Sequence, residues 1–248
     1  FSKWVRMEPT PLIRKQIESP PGGIMITACG WIDIPALLGG LRAWCLQQEG
    51  FRLIETHLPY DAIDANARII QAAGEAIAFD DVVFCEGYKA AANPFFPGLP
   101  LIPNKGEILL FESESLDLPF VLSRGVYVIP LGKNRYVAGS TYENRFEDTN
   151  PSVAARAQIE ERLAQVIKQP WRVTGHRAGI RPTTPDRRPI LGNHPALDSV
   201  HIFTGFGTKG VLLAPYFSGI MAHYLLDSAS GLPEAVDLRR FAGRSPRV

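Results

Sequence analysis

The chain has 248 residues, of which 46% are hydrophobic and 21% charged, and its net charge is +1. Such a chain is long enough to bury a sizeable core in one large domain or two small ones. It carries no charge excess that would draw nucleic acid or an anionic membrane as a partner. No apolar run approaches the ~18 residues of a membrane span, and the opening stretch FSKWVRMEPTPLIRKQ is polar and basic rather than a secretory leader, so a cytoplasmic setting is expected.

The first residue is Phe1 rather than Met, which suggests a truncated or processed chain. Cys29, Cys45 and Cys85 form no CxxC pair and are odd in number, so the expectation is free, buried thiols in a reducing compartment. His57, His176, His194, His201 and His223 show no metal-ligand spacing, and no metal is expected.

In chain order, the Pro-Pro-Gly-Gly run at 20–23 marks a break, and Ile24 to Thr27 reads as a short strand. Ile34 to Gln48 reads as a helix. Pro35 suits its first turn, Leu37, Leu38, Leu41, Trp44 and Cys45 recur at helical spacing, and Gly50 stops it. Phe51 to Glu55, Ala67 to Gln71 and Glu75 to Phe79 are β-like, with Ala73-Gly74 as a turn. Val82 to Cys85 has the continuous apolar character of a strand buried on both faces.

Four prolines exclude a helix over 93–104. Gly106 to Phe111, Gly125 to Pro130 and Tyr136 to Ser140 follow as antiparallel strands, with Lys133-Asn134 as a hairpin turn. Pro151 to Lys168 is the clearest helix. Asn150 or Ser152 is placed to cap it, and Ala154, Ala157, Ile159, Leu163, Val166 and Ile167 form its apolar stripe. Trp171 to Thr174 reads as a strand, Arg181 to Pro195 as a Pro-rich ordered loop, Val200 to Thr204 as a strand and Gly210 to Leu226 as an apolar helix with Pro215 inside it. The mixture is α/β combined with α+β.

Three segments could carry chemistry. Residues 204–210, Thr-Gly-Phe-Gly-Thr-Lys-Gly, hold a G-x-G-x-x-G between a strand and a helix. A dinucleotide fingerprint also needs a second strand ending in an acid about 20 residues on, and there is little room for one here. The alternatives are a tight strand-to-helix turn, or a loop that holds a delocalised anion at the helix start beside Lys209. Residues 176–192 set Arg177, Arg181, Arg187 and Arg188 against a single acid, Asp186, in a Pro-stiffened run. An arginine fork there matches a carboxylate, although most such arginines are solvated or paired. The third segment holds Tyr127 and Tyr142, whose ordinary reading is cross-strand packing.

Taken in order, these segments resemble one family. Gly179-Ile-Arg-Pro182 followed by Asp186 to Gly192, Thr204 to Pro215, Gly30 to Pro35, Asp81 to Gly87 and Asn104 to Ile108 are each similar to runs of the D-amino-acid oxidase and glycine oxidase superfamily of FAD-dependent oxidoreductases. The matches span residues 24–226. The resemblance implies a partial Rossmann-like FAD-binding domain (28–93 and 175–232) and an antiparallel-sheet substrate domain (94–174), with 1–27 packed on the latter.

It further implies FAD as cofactor and a small carboxylate-bearing amine or amino acid as substrate, oxidised by hydride transfer to flavin. By motif position Arg181 holds the substrate carboxylate and Tyr127 assists it. Gly87, Gly179, Gly207, Thr208, Lys209 and Gly210 lie at the cofactor, and no side chain is assigned as a general base. The alternatives are a 2-hydroxy-acid dehydrogenase and a non-catalytic module that binds a carboxylate metabolite. Three features depart from the family pattern. The N-terminal G-x-G-x-x-G is absent from these residues, Glu86 stands where a small residue is usual, and Arg177 stands where an aromatic is common. Without that fingerprint, this chain alone is expected to hold FAD weakly or not at all and to be inactive.

Overall fold

A computed structural model describes residues 5–7, 15–18, 23–227 and 230–241. Of the expected break at 20–23, only Gly23 falls among them. The chain divides into two compact units, residues 1–33 with 105–180 and residues 34–104 with 181–248. The architecture is mixed α/β with antiparallel sheets.

Strands β1 (Val5–Met7) and β2 (Ile24–Ile26) pair antiparallel. Helix α1 (Ile34–Cys45) carries Pro35 in its first turn, where a missing N–H costs nothing. It ends at Cys45 rather than Gln48. Gln47 and Gln48 continue as tight turns to the carbonyls of Trp44 and Cys45, ahead of Gly50 at φ +81°. The expected apolar stripe buries nothing among the described residues: Leu37, Leu38, Leu41 and Trp44 are all exposed. The thiol expectation is also corrected, because Cys29 and Cys85 are exposed and Cys45 is half-buried.

Phe51 to Glu55 forms no strand. Arg52 is held instead by its side chain, through two guanidinium bonds to Glu75 at 2.8 and 2.7 Å. Strands β3 (Ile63–Asp64), β4 (Ile69–Ala72) and β5 (Glu75–Ala78) make an antiparallel meander. The β4–β5 turn has positive φ at both Ala73 and Gly74, as a two-residue hairpin of that hand requires.

Strand β6 (Val82–Phe84) precedes a 3-10 turn over Gly87–Ala92. Then come β7 (Ile102–Glu112), β8 (Leu122–Ser123), β9 (Tyr127–Gly132) and β10 (Arg135–Gly139). Lys133 and Asn134 turn the β9–β10 hairpin with φ +52° and +59°. Helix α2 (Val153–Ala164) is capped by Ser152, whose hydroxyl accepts from the Ala155 N–H at 3.2 Å. Its buried face is Ala155, Ile159 and Leu163, at four-residue spacing, while Ala154 and Ala157 are exposed.

Strand β11 (Arg172–Thr183) corrects two expectations. It extends well past Thr174, and Arg181 lies on it rather than in a loop. It is an edge strand, in the sheet order β11-β7-β10-β9-β8, and an edge tolerates Pro182 with no N–H to donate. Strand β12 (Ile190–Asn193) likewise falls inside the run expected to be loop. Strand β13 (Val200–Thr204) and helix α3 (Gly210–Leu226) match their expected bounds.

The division between units falls inside β7 and β11. In the first unit, Leu109, Phe111, Val128, Tyr136 and Ala138 from the sheet pack with Ile159 and Leu163 of α2. Each fully buried aliphatic or aromatic side chain contributes about 1.5–3 kcal/mol. Ile17 joins that core and bridges to Ile167. In the second unit, β13 pairs antiparallel with β12 and parallel with β6, with Ile202 opposite Phe84. Phe84, Phe96, Ile190, Val200 and Ile202 form one core. Leu191, Met221 of α3 and Val236 form another. Only Phe84 of β6 is fully buried, since Val82 and Val83 are half-covered.

Candidate flavin and carboxylate site

The turn from β13 into α3 is dictated by two glycines. Gly205 sits at φ +78°, and a Cβ there would lie 2.9 Å from Thr184 Cγ2 and 3.1 Å from Ile190 N. No side chain fits. Gly207 sits at φ +53°, whereas Gly210, at φ −52°, is ordinary helix. Thr208 and Lys209 are exposed, and the first turn of α3 receives no side-chain cap. A helix start of this kind carries partial positive charge. Among the described residues no strand follows α3; Asp237 makes only an isolated bridge to Leu191.

Gly87, at φ +60°, opens the 3-10 turn after β6. Its carbonyl accepts from Thr204 Oγ1 at 2.8 Å, which ties the end of β6 to the end of β13. The second unit thus brings Gly87 against the strand that leads into the Gly207–Gly210 turn. Glu86 is turned toward its own unit: its carboxylate accepts from Tyr60 OH at 2.6 Å and from Asn93 Nδ2 at 2.7 Å. Burial, reinforced by that carboxylate, pushes the Tyr60 phenol up to about 12.

Arg181 is half-buried, and its Nη1 donates to Asn104 Oδ1 at 2.7 Å. Two residues along each strand, the Thr183 hydroxyl donates to the Ile102 carbonyl. Asn104 was not legible as a site residue, and its one signal is its place at the head of Asn104 to Ile108. The remaining arginines do not converge on one acid. Asp186 takes Arg240 Nε at 2.9 Å and the Arg188 N–H at 3.1 Å. Burial by itself would raise the Asp186 carboxyl, but those donors outweigh it and hold the group below its ordinary value.

Two of the expected residues belong to the first unit. Tyr127 begins β9 opposite Gly139, and a Cβ on Gly139 would lie 3.0 Å from the Tyr127 hydroxyl and 2.8 Å from Ile108 Cγ2. Gly139 therefore makes the space that the Tyr127 ring uses. Gly179, on β11, is exposed, with no atom within 4 Å of where a Cβ would stand. Among the described residues, no steric contact requires glycine there. Tyr142 is 68% exposed. Among the described residues, no group of three potential metal ligands occurs and no helix is long and apolar enough to cross a membrane.

The family model described as FAD dependent oxidoreductase (DAO) matches residues 4–224. Glycine oxidase from Pseudomonas aeruginosa is 27% identical over 259 residues, covering 97% of this chain and 70% of that protein. The bifunctional protein MnmC of tRNA 5-methylaminomethyl-2-thiouridine biosynthesis from Idiomarina loihiensis is 23% identical, covering 86% of this chain and 38% of that protein. The crystal structure of glycine oxidase from Geobacillus kaustophilus superposes with a TM-score of 0.71 at 24% identity, over 90% of this chain and 61% of that one. The chain therefore spans between 38% and 70% of the length of these relatives.

Proposed function

The chain belongs to the DAO family of FAD-dependent oxidoreductases, and from that premise we propose that it forms the substrate-side portion of an enzyme that oxidises a small carboxylate-bearing amine or amino acid. The observation that carries this reading is Arg181, a half-buried guanidinium held on a strand by a neutral acceptor at 2.7 Å. The planar fork of a guanidinium matches the two oxygens of a carboxylate. Three similar proteins, the two glycine oxidases and the iminodiacetate oxidase from Chelativorans sp. BNC1 with a TM-score of 0.67, are named for substrates of this chemistry.

In this reading residues 28–93 with 175–232 are part of a Rossmann-like FAD-binding domain, and 94–174 form the substrate sheet. The parallel pairing of β13 with β6 supports the first assignment. FAD, when bound, supplies a two-electron acceptor. The residues present fit such a group. Gly87 leaves open space where a side chain would stand, the start of α3 in the same unit is uncapped, and Val211 and Leu212 beside it are exposed and apolar. A flat heteroaromatic ring that gains negative charge suits a surface of that kind.

Each residue then has a role. Arg181 orients the substrate by its carboxylate, which fixes the C–H bond to be broken. Tyr127 is assigned a second contact to the substrate by motif position. Lys209, Thr208 and the N–H groups of the Gly207–Gly210 turn stabilise negative charge on the cofactor, an electrostatic contribution already in place before reaction.

The only G-x-G-x-x-G among the described residues opens no βαβ unit, so these 248 residues by themselves are proposed to hold FAD weakly and to be inactive. The test is the visible absorbance of the purified chain after addition of FAD and desalting. A colourless protein is expected. Stoichiometric retention of flavin bands would overturn the weak-binding proposal, and turnover of amino and hydroxy acids by the loaded protein would then decide the substrate class.

A further inference from the structure

Arg187 is held at φ +59°, a left-handed conformation that is costly for a residue with a side chain and persists only where its surroundings impose it. Here one side chain grips the residues on both sides of it. Asp186 accepts from Arg240 Nε at 2.9 Å and from Nη2 at 3.4 Å, and the Arg188 carbonyl accepts from Arg240 Nη2 at 3.1 Å. The Thr184 hydroxyl closes the same turn, donating to the Arg188 carbonyl at 2.8 Å and accepting from the Arg188 N–H at 3.0 Å. Arg240 comes from the 3-10 turn Leu238–Phe241, 54 residues beyond Asp186. Its side chain is 10% exposed, its Nη1 donates to the Asp237 carbonyl at 3.1 Å, and its guanidinium lies 4.2 Å over the Phe241 ring. That turn is itself anchored, since Leu238 and Phe241 pack on the core of Phe84, Ile190 and Ile202.

The gripped turn borders the start of α3 within the same unit. Thr184 is a residue that a Cβ on Gly205 would strike, and the Arg187 carbonyl accepts from Lys209 Nζ at 3.5 Å. That distance is at the outer limit of hydrogen bonding, so a small shift of the turn breaks the contact. We propose that Arg240 is a positioning residue for the start of α3: by gripping Asp186 and Arg188, it holds the Arg187 carbonyl that places the Lys209 ammonium. This inference rests on the reading of Lys209 as a group that stabilises negative charge on the cofactor.

Arg240→Lys separates position from charge. It keeps the cation, but an ammonium has no planar fork to hold Asp186 and Arg188 together. In Asp186→Ala the two effects have opposite signs. Removing an acid favours a nearby anion by charge alone, whereas loss of the grip releases Lys209. The probe is lumiflavin, the flavin ring without the ADP portion. It is titrated into the 248-residue chain in its oxidised and photoreduced forms, anaerobically and at mildly alkaline pH, where the reduced ring is an anion. Protein-observed NMR at the backbone amides of 207–212 follows it with no desalting step, so weak binding is measured. The quantity read is the ratio of the two affinities, with thermal unfolding as the check on folding. A merely structural role for Arg240 lowers both affinities together and leaves that ratio unchanged.

The parent is expected to favour the reduced ring by about threefold or more, the scale of one partly exposed charge interaction. Lys209→Met, Arg240→Lys and Asp186→Ala should each lose at least half of that preference on a logarithmic scale. If Lys209→Met loses it while Arg240→Lys keeps more than half, the positioning role fails and the Lys209 reading stands. A raised preference in Asp186→Ala overturns the positioning role as well. If the parent takes up neither form or shows no preference, or if Lys209→Met keeps it, the Lys209 reading fails and the positioning role with it. Should Arg240→Lys not fold, Asp186→Ala is judged by the same limit.

Discussion

Glu107 accepts both from the backbone N–H of Ser152, at 2.8 Å, and from its hydroxyl, at 3.0 Å. The same hydroxyl accepts from Ala155 N–H at the start of α2, so one buried carboxylate on β7 orients the first turn of the helix that covers the sheet. Lys105 Nζ lies 3.4 Å away and His176 Nε2 2.8 Å away, and Lys105 is itself 3.6 Å from Asp148. A fully buried charge persists only where several partners surround it.

Breaking this cluster should be costly. Glu107→Leu leaves Lys105 buried beside Asp148 and is expected to cost about 3–5 kcal/mol, while Glu107→Gln, which keeps the shape and an acceptor, should cost clearly less. Urea unfolding of the two variants checks this. A loss below roughly 0.5 kcal/mol in Glu107→Leu would show that the cluster does not hold the helix.

The two glycines Gly205 and Gly179 should behave oppositely. Gly205→Ala meets Thr184 and Ile190 at a positive φ and is expected to lower stability by about 1–3 kcal/mol. Gly179→Ala meets nothing and should leave the unfolding midpoint within roughly 0.5 kcal/mol of the parent. Under the proposed function, Gly179→Ala lowers FAD affinity in a flavin titration without lowering stability. Unchanged affinity would remove Gly179 from the cofactor site.

Alkaline stability should report on Tyr60. Its folded value of about 12 lies above the ~10 of an unfolded tyrosine, so the neutral phenol contributes fully below pH ~10. That contribution is lost as pH rises through about 12. Tyr60→Phe has no such group to ionise. Its stability relative to the parent should therefore improve across this interval, as measured by denaturant midpoints at each pH. A constant difference would rule out the assigned shift.

Acid stability should report on Asp186, whose carboxyl is held below its ordinary value and is bonded to Arg240. A depressed value means that the stabilisation is present above the unfolded value near pH 4 and is lost as pH falls through the folded one. Asp186→Asn should melt below the parent at pH 7, and the gap should close on acidification below about pH 4. A gap that persisted in acid would point to shape rather than charge.

Local signals were read directly from the chain. Ser152 caps α2 because a hydroxyl there satisfies a helix N–H, and the Ala73-Gly74 and Lys133-Asn134 turns follow from residues that enter positive φ between apolar runs. The bounds of β13 and α3 were legible for the same reason: each depends on neighbours a few residues away. Arg181 was legible by motif, but not its place on β11, because whether Pro182 is tolerated depends on the strand lying at a sheet edge. The Asn104–Arg181, Asp186–Arg240 and Glu107–Ser152 bonds join residues far apart in the chain. No periodicity encodes such pairs. They were decided when the sheets formed and buried polar groups had to find partners where the fold had placed them.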